Sequence, residues 1–140
     1  MKLDLKRIDE AFHLQGTNEE GATAFSDAST KVGGGNKAFR PMQLMLMSVA
    51  SCSSIDILSI LRKQKLDVKD FYVTIEGERE ADKVPSLFTH IHIHYKFAGQ
   101  IPDEKAKRAI DLSITKYCSA SRTLEKAGAK ITTSYEIMNS

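Results

Sequence analysis

The sequence has no internal repeat, no low-complexity tract, no block of basic residues and no convincing linker. These absences exclude solenoids, disordered tails and a string of small domains. The formal net charge is only +2, with lysines and acids interleaved, so no strong field points toward nucleic acid or an anionic membrane. Cysteine is limited to two residues, Cys52 and Cys118, too far apart for a CxxC motif or a zinc knuckle. Two cysteines without a disulfide framework fit a reducing, cytoplasmic setting. Met1 to Arg7 alternates charged and apolar residues and lacks the apolar core of a signal peptide. What remains is 41% hydrophobic and 27% charged over 140 residues, enough to bury a core. One domain over residues 1–140 is the expectation.

The first 28 residues read as a meander: Leu3, Leu5 and Ile8 in one strand, Phe12 and Leu14 in a second, a turn over 16–21, then Ala22 to Phe25. Gly33-Gly34-Gly35-Asn36 reads as a mobile connection. No GK[ST] follows it, so it is not a phosphate loop. Pro41 suits the first turn of a helix running to Lys65. Its N-terminal half is apolar all round, which predicts burial on several sides, and Ser48, Ser51, Ser53, Ser54 and Asp56 argue against a membrane span. Residues 71–79 and 88–97 predict a long hairpin. In the second strand Ile91, Ile93, Tyr95 and Phe97 share one face, and His90, His92, His94 and Lys96 the other. A helix opens at Pro102-Asp103-Glu104 and leads to Cys118, a short helical turn spans 122–126, and 130–138 alternates as a last strand. The expected class is α+β, without parallel βαβ alternation.

Cys52 lies about three turns into its helix, beyond the reach of the N-terminal dipole. Asp56 follows at i+4 on the same face. An unperturbed thiol is roughly 3% thiolate at neutral pH, so an activated Cys52 calls for a cation; Arg40, Arg122, Arg7 or a histidine are the candidates. Cys118, followed by Ser119-Ala120-Ser121 and Arg122, reads as an accessible thiol near a helix end. His90, His92 and His94 repeat at about 6.5–7 Å along one strand face. That spacing can bind zinc, but there is no HExxH or matching acid motif. The plainer reading is a solvent-facing polar edge, with no metal and no cofactor.

The run from Arg40-Pro41-Met42-Gln43 through an apolar helix to Ser51-Cys52-Ser53-Ser54-Ile55-Asp56 resembles the central-helix motif of the OsmC/Ohr family. A hairpin, a second helix with Tyr117-Cys118-Ser119 and a closing strand complete the pattern over most of the chain. The resemblance implies antiparallel sheets wrapped around two long central helices in an intertwined homodimer. It also implies reduction of organic hydroperoxides, with Cys52 as peroxidatic thiolate, Cys118 as resolving thiol and an external dithiol as reductant. Arg40, Gln43, Asp56 and Arg122 are the supporting candidates. The sequence departs from the family pattern at Met42, where a glutamate usually follows the proline, and in lacking the usual arginine between its first strands. An alternative is a dimeric protein that binds a small apolar ligand with little or no peroxidase activity.

Overall fold

A computed structural model describes residues 1–138. The chain divides into two compact units, Met1–Met45 and Leu46–Ser140. The first is an antiparallel meander of β1 (Leu3–Arg7), β2 (Leu14–Asn18) and β3 (Thr23–Ser26). The turn before β3 falls later than expected, at 19–22, because Asn18 organises it: its side-chain oxygen accepts from Glu20 N at 3.1 Å and Ala22 N at 2.8 Å. The glycine run is not a loose connection. Asp27 is buried and accepts from Ala28 N at 2.7 Å and Lys37 N at 3.0 Å. Those backbone bonds, led by Lys37, hold its carboxyl below the usual range. Gly34 lies so close to Ala28 that an added Cβ would sit 2.1 Å from the Ala28 carbonyl oxygen.

The second unit takes most of α1 (Pro41–Lys63) and a sheet ordered β4 (Asp70–Arg79), β5 (Phe88–Ala98), β6 (Lys130–Met138). The α+β class holds, with one correction. β4 and β5 are the expected antiparallel hairpin, but β5 and β6 pair in parallel, so the sheet is mixed rather than wholly antiparallel. The residues between them form the crossover that parallel pairing requires: α2 (Asp103–Leu112), a π-helical turn over Ser113–Tyr117, and α3 (Ser119–Lys126). The inner sheet face is built from Ile91, Ile93, Tyr95 and Phe97, each fully buried, with Phe71 stacked near Tyr95 and Phe97.

α1 stops two residues before the expected end. Lys65 adopts a left-handed φ of 59°, and Leu66 N and Lys65 N donate to the carbonyls of Leu61 and Arg62 at 3.0 and 2.9 Å, a Schellman closure. The helix buries one stripe, Val49, Ser53, Ile57 and Leu61, spaced four residues apart. Met45, Met47 and Ile55 stay exposed, so the expectation of burial on several sides is not met within one chain. The helix is long and apolar enough to cross a membrane by length and composition alone, yet its buried stripe is spent on packing inside this unit.

Gly77 faces the same inner surface, opposite Ile91. A Cβ there would lie 2.6 Å from the Phe88 ring and 3.0 Å from Leu46 Cδ2. Gly77→Val is therefore expected to destabilise the chain by about 1–3 kcal/mol, read as a lower urea midpoint. A midpoint equal to that of the wild type would show that Phe88 and Leu46 yield freely.

Candidate functional site

The stripe that α1 buries contains one polar residue. Ser53 is fully buried, and so is Tyr95 on β5 opposite it. The Tyr95 hydroxyl donates to Ser53 Oγ at 2.7 Å, and Ser53 Oγ donates to the Ala50 carbonyl at 3.2 Å. At the end of α2, buried Ser113 shares its hydroxyl proton between Asp56 Oδ2, at 3.0 Å, and the Ser53 carbonyl, at 3.2 Å. Sheet, central helix and crossover thus meet in one polar seam, and none of its buried side-chain atoms lacks a partner.

Both thiols lie at this seam. Cys52 precedes Ser53 on α1 and is half-buried. The π turn ends with Cys118 N donating to Ser113 O at 2.7 Å, which swings Cys118 inward. The two cysteines are unbridged, and Cys52 lies near enough to Cys118 within one chain to act on its thiol. The sequence reading of Cys118 as accessible is corrected: it is 2% exposed. The small residues after it begin α3, and Cys118 is the N-cap, its Sγ accepting from Ser121 N at 3.3 Å. Burial pushes the Cys118 thiol up, the Ser121 hydroxyl and N–H pull it partly back, and Cys52 beside it pushes it up again. Cys118 therefore keeps its proton at neutral pH. Burial also pushes Tyr95 up to about 12, against the pull of the Ser53 bond and with further push from Cys118 and Asp56.

The supporting candidates divide. Asp56 joins the seam through Ser113. Arg122 does not: it is exposed on α3 and paired with Glu125 at 3.3 Å. Arg40 and Gln43 belong to the first unit, where Gln43 Oε1 accepts from Arg40 N at 3.0 Å and closes the start of α1, while the Arg40 guanidinium donates to Asn36 at 2.5 Å. Sequence reasoning missed Ser53, Tyr95, Ser113 and Ser121. The only signal was a serine interrupting the apolar stripe and a tyrosine on an otherwise aliphatic strand face, both of which oblige a buried partner. A cleft of about 370 Å³ opens beside the seam, lined by Asp56, Ser59, Ile60, Lys63, Gln64, Leu112 and Tyr117, with neither thiol on its wall.

The histidines form a different structure. Parallel register sets Thr132 beside His92 and Ser134 beside His94. Thr132 Oγ1 lies 3.0 Å from His90 Nε2 and 2.6 Å from His92 Nδ1. Ser134 Oγ lies 2.8 Å from His92 Nε2 and 2.7 Å from His94 Nδ1. These hydroxyls engage both ring nitrogens of His92 and one each of His90 and His94. Among the described residues no group of three or more His, Cys, Asp and Glu is arranged to hold a metal ion.

Residues 34–134 match the family model described as OsmC-like protein. Protein YhfA of Escherichia coli (strain K12) is 46% identical over 105 residues, covering 74% of this chain and 77% of that protein. The crystal structure of a hypothetical protein from Aquifex aeolicus VF5 is 28% identical, with a TM-score of 0.83 over 99% of this chain and 96% of that one. An organic hydroperoxide resistance protein OsmC from Legionella pneumophila shares the fold at 17% identity, with a TM-score of 0.70 over 97% of both chains.

Two outcomes test the seam. Ser53→Ala leaves the buried Tyr95 hydroxyl without its acceptor and is expected to lose about 1–3 kcal/mol. Tyr95→Phe leaves Ser53 bonded to Ala50 and is expected to lose less. Because Tyr95 titrates higher folded than unfolded, stability at neutral pH is unaffected and falls as pH rises from 10 to about 12. The loss over that window is about 2–3 kcal/mol, and urea titrations of Tyr95→Phe should lack it.

Proposed function

The chain belongs to the OsmC-like protein family, and from that premise we propose that it is a thiol-dependent peroxidase for organic hydroperoxides, with residues 1–140 acting as one OsmC-like domain. The observation that carries this reading is a pair of unbridged thiols at one buried seam, Cys52 half-buried and Cys118 enclosed beside it. Cys52, the one with access, attacks the terminal peroxide oxygen as thiolate. The O–O bond breaks, the alcohol leaves with a proton, and Cys52 becomes a sulfenic acid. Cys118 then loses its proton and attacks Cys52 Sγ, expelling water and closing a disulfide. An external dithiol restores both thiols. No metal or organic cofactor enters this chemistry, and a cytoplasmic location suits the reduced pair.

A second copy of the chain is the proposed partner. The first unit has no buried apolar side chain, and Leu3, Leu5, Phe25 and Phe39 are exposed on it. A three-stranded meander without a core is not independently stable. α1 likewise leaves Met45, Met47 and Ile55 in the open. A homodimer formed over these surfaces gives each its missing cover.

Cys52→Ser is expected to abolish hydroperoxide consumption in a coupled dithiol assay. Cys118→Ser should give one turnover and a sulfenic acid that a dimedone probe traps. Equal rates in wild type and Cys52→Ser would sink the peroxidase reading and leave the small-ligand binding alternative. Because the Cys118 thiol is raised, single-turnover disulfide closure should quicken about tenfold per pH unit while Cys118 is mainly protonated. Sedimentation should give a dimer, and Ile55→Asp should shift it to monomer; a monomeric wild type removes the proposed partner.

A further inference from the structure

The two sulfurs differ in access, and that difference constrains the reductive half of the cycle. Cys118 is 2% exposed within its own chain. A partner subunit can only cover it further. Thiol–disulfide exchange proceeds by attack of an incoming thiolate on one sulfur while the other leaves, so the outcome depends on which sulfur can be reached and on what receives the departing one. Within one chain Cys52 is the sulfur within reach. Burial raises the Cys118 thiol, which by itself disfavours its departure, and the capping N–H of Ser121 opposes that. Cys118 Sγ already accepts the Ser121 N–H at 3.3 Å at the first turn of α3. The Ser121 hydroxyl donates to the Cys118 carbonyl at 3.1 Å, and it lies near enough to the thiol to turn toward a developing thiolate. Ser121 is itself 1% exposed, so neither donor is spent on water.

We propose that the external dithiol attacks Cys52, that Cys118 is the leaving sulfur, and that Ser121 is the positioning residue that receives it. This rests on the Cys52–Cys118 disulfide of the peroxidase reading. In the first step a thiolate of the reductant bonds to Cys52 Sγ as the Cys52–Cys118 bond breaks. The bonding pair passes to Cys118 Sγ, which is held by the Ser121 N–H, and by the Ser121 hydroxyl once it turns from the Cys118 carbonyl, until it takes a proton. In the second step the other thiol of the reductant loses its proton and attacks the reductant's own sulfur in the mixed disulfide. Cys52 is released as thiolate and takes up the second proton through solvent, and the reductant leaves as a disulfide. The two protons of the dithiol end on the two cysteines, and two electrons pass to the chain. Oxidant and reductant then both meet the protein at Cys52, and Cys118 touches neither.

The test starts from disulfide made with diamide, which needs no peroxidase activity. Limiting glutathione is added, the reaction is quenched in acid, free thiols are blocked with N-ethylmaleimide, and the peptides are mapped by mass spectrometry. The expected result is glutathione on Cys52 and maleimide on Cys118, in at least tenfold excess over the reverse. Equal labelling, or glutathione mainly on Cys118, overturns the proposal. A chain that carries the Cys52 adduct but consumes no hydroperoxide refutes the peroxidase reading and leaves this assignment standing. A chain that forms no disulfide with diamide overturns both. For Ser121, the readout is the Cys118 thiolate absorbance near 240 nm in a Cys52→Ser background. Ser121→Ala is expected to move its pH midpoint upward, and in the wild-type background to slow disulfide reduction by dithiothreitol several-fold. An unmoved midpoint with an unchanged rate overturns the role of Ser121.

Discussion

The hydrogen bond from the Tyr95 hydroxyl to Ser53 Oγ constrains most of what surrounds it. Both residues are fully buried, and a buried hydroxyl without a partner is unfavourable by several times RT. α1 could pack its apolar residues against the sheet in more than one rotation, because aliphatic contacts are non-directional. Only one rotation brings Ser53 to Tyr95. That rotation also aims Asp56 at Ser113 and sets Cys52 toward the crossover, since neighbouring positions on a helix are separated by a fixed angle.

The crossover supplies the second thiol through an interruption in its own regularity. α2 does not run on smoothly into α3. A π turn over Ser113–Tyr117 breaks the ladder, and Cys118 leaves with an extended backbone before capping α3. A continuous helix would carry position 118 past the seam. The break instead gives one pair of chemically alike residues two different surroundings: Cys52 with access and no cap, Cys118 enclosed, capped and held protonated by burial. In the proposed cycle this asymmetry divides the work between them.

Much of the architecture was legible because period and punctuation are local signals. The strict alternation from Phe88 to Phe97 could only be a strand with two unlike faces, and the inner four residues are fully buried. Pro41 marked the start of α1, while its end falls two residues before the expected Lys65. The direction of β6 was not legible, because alternation is the same whether a strand runs parallel or antiparallel to its neighbour. The accessibility of Cys118 was misread for a related reason. Small residues after a cysteine can mark an open break or the tightly packed first turn of a helix, and contacts from other elements decide between them. The histidines were placed on the correct face, but their hydroxyl partners depended on the parallel register with Thr132 and Ser134.

The sequence by itself determined the elements, their order, the apolar faces and, through the cysteine contexts, the family. These follow from backbone geometry and residue spacing along a short stretch of chain. Tertiary structure alone decided that the two thiols are neighbours, that Cys118 is enclosed, and that serines and a tyrosine line the seam. Those are relations between residues some 40 to 70 positions apart. Only the packing of the sheet, α1 and the crossover brings them together, because directional polar bonds, unlike apolar contacts, accept one arrangement.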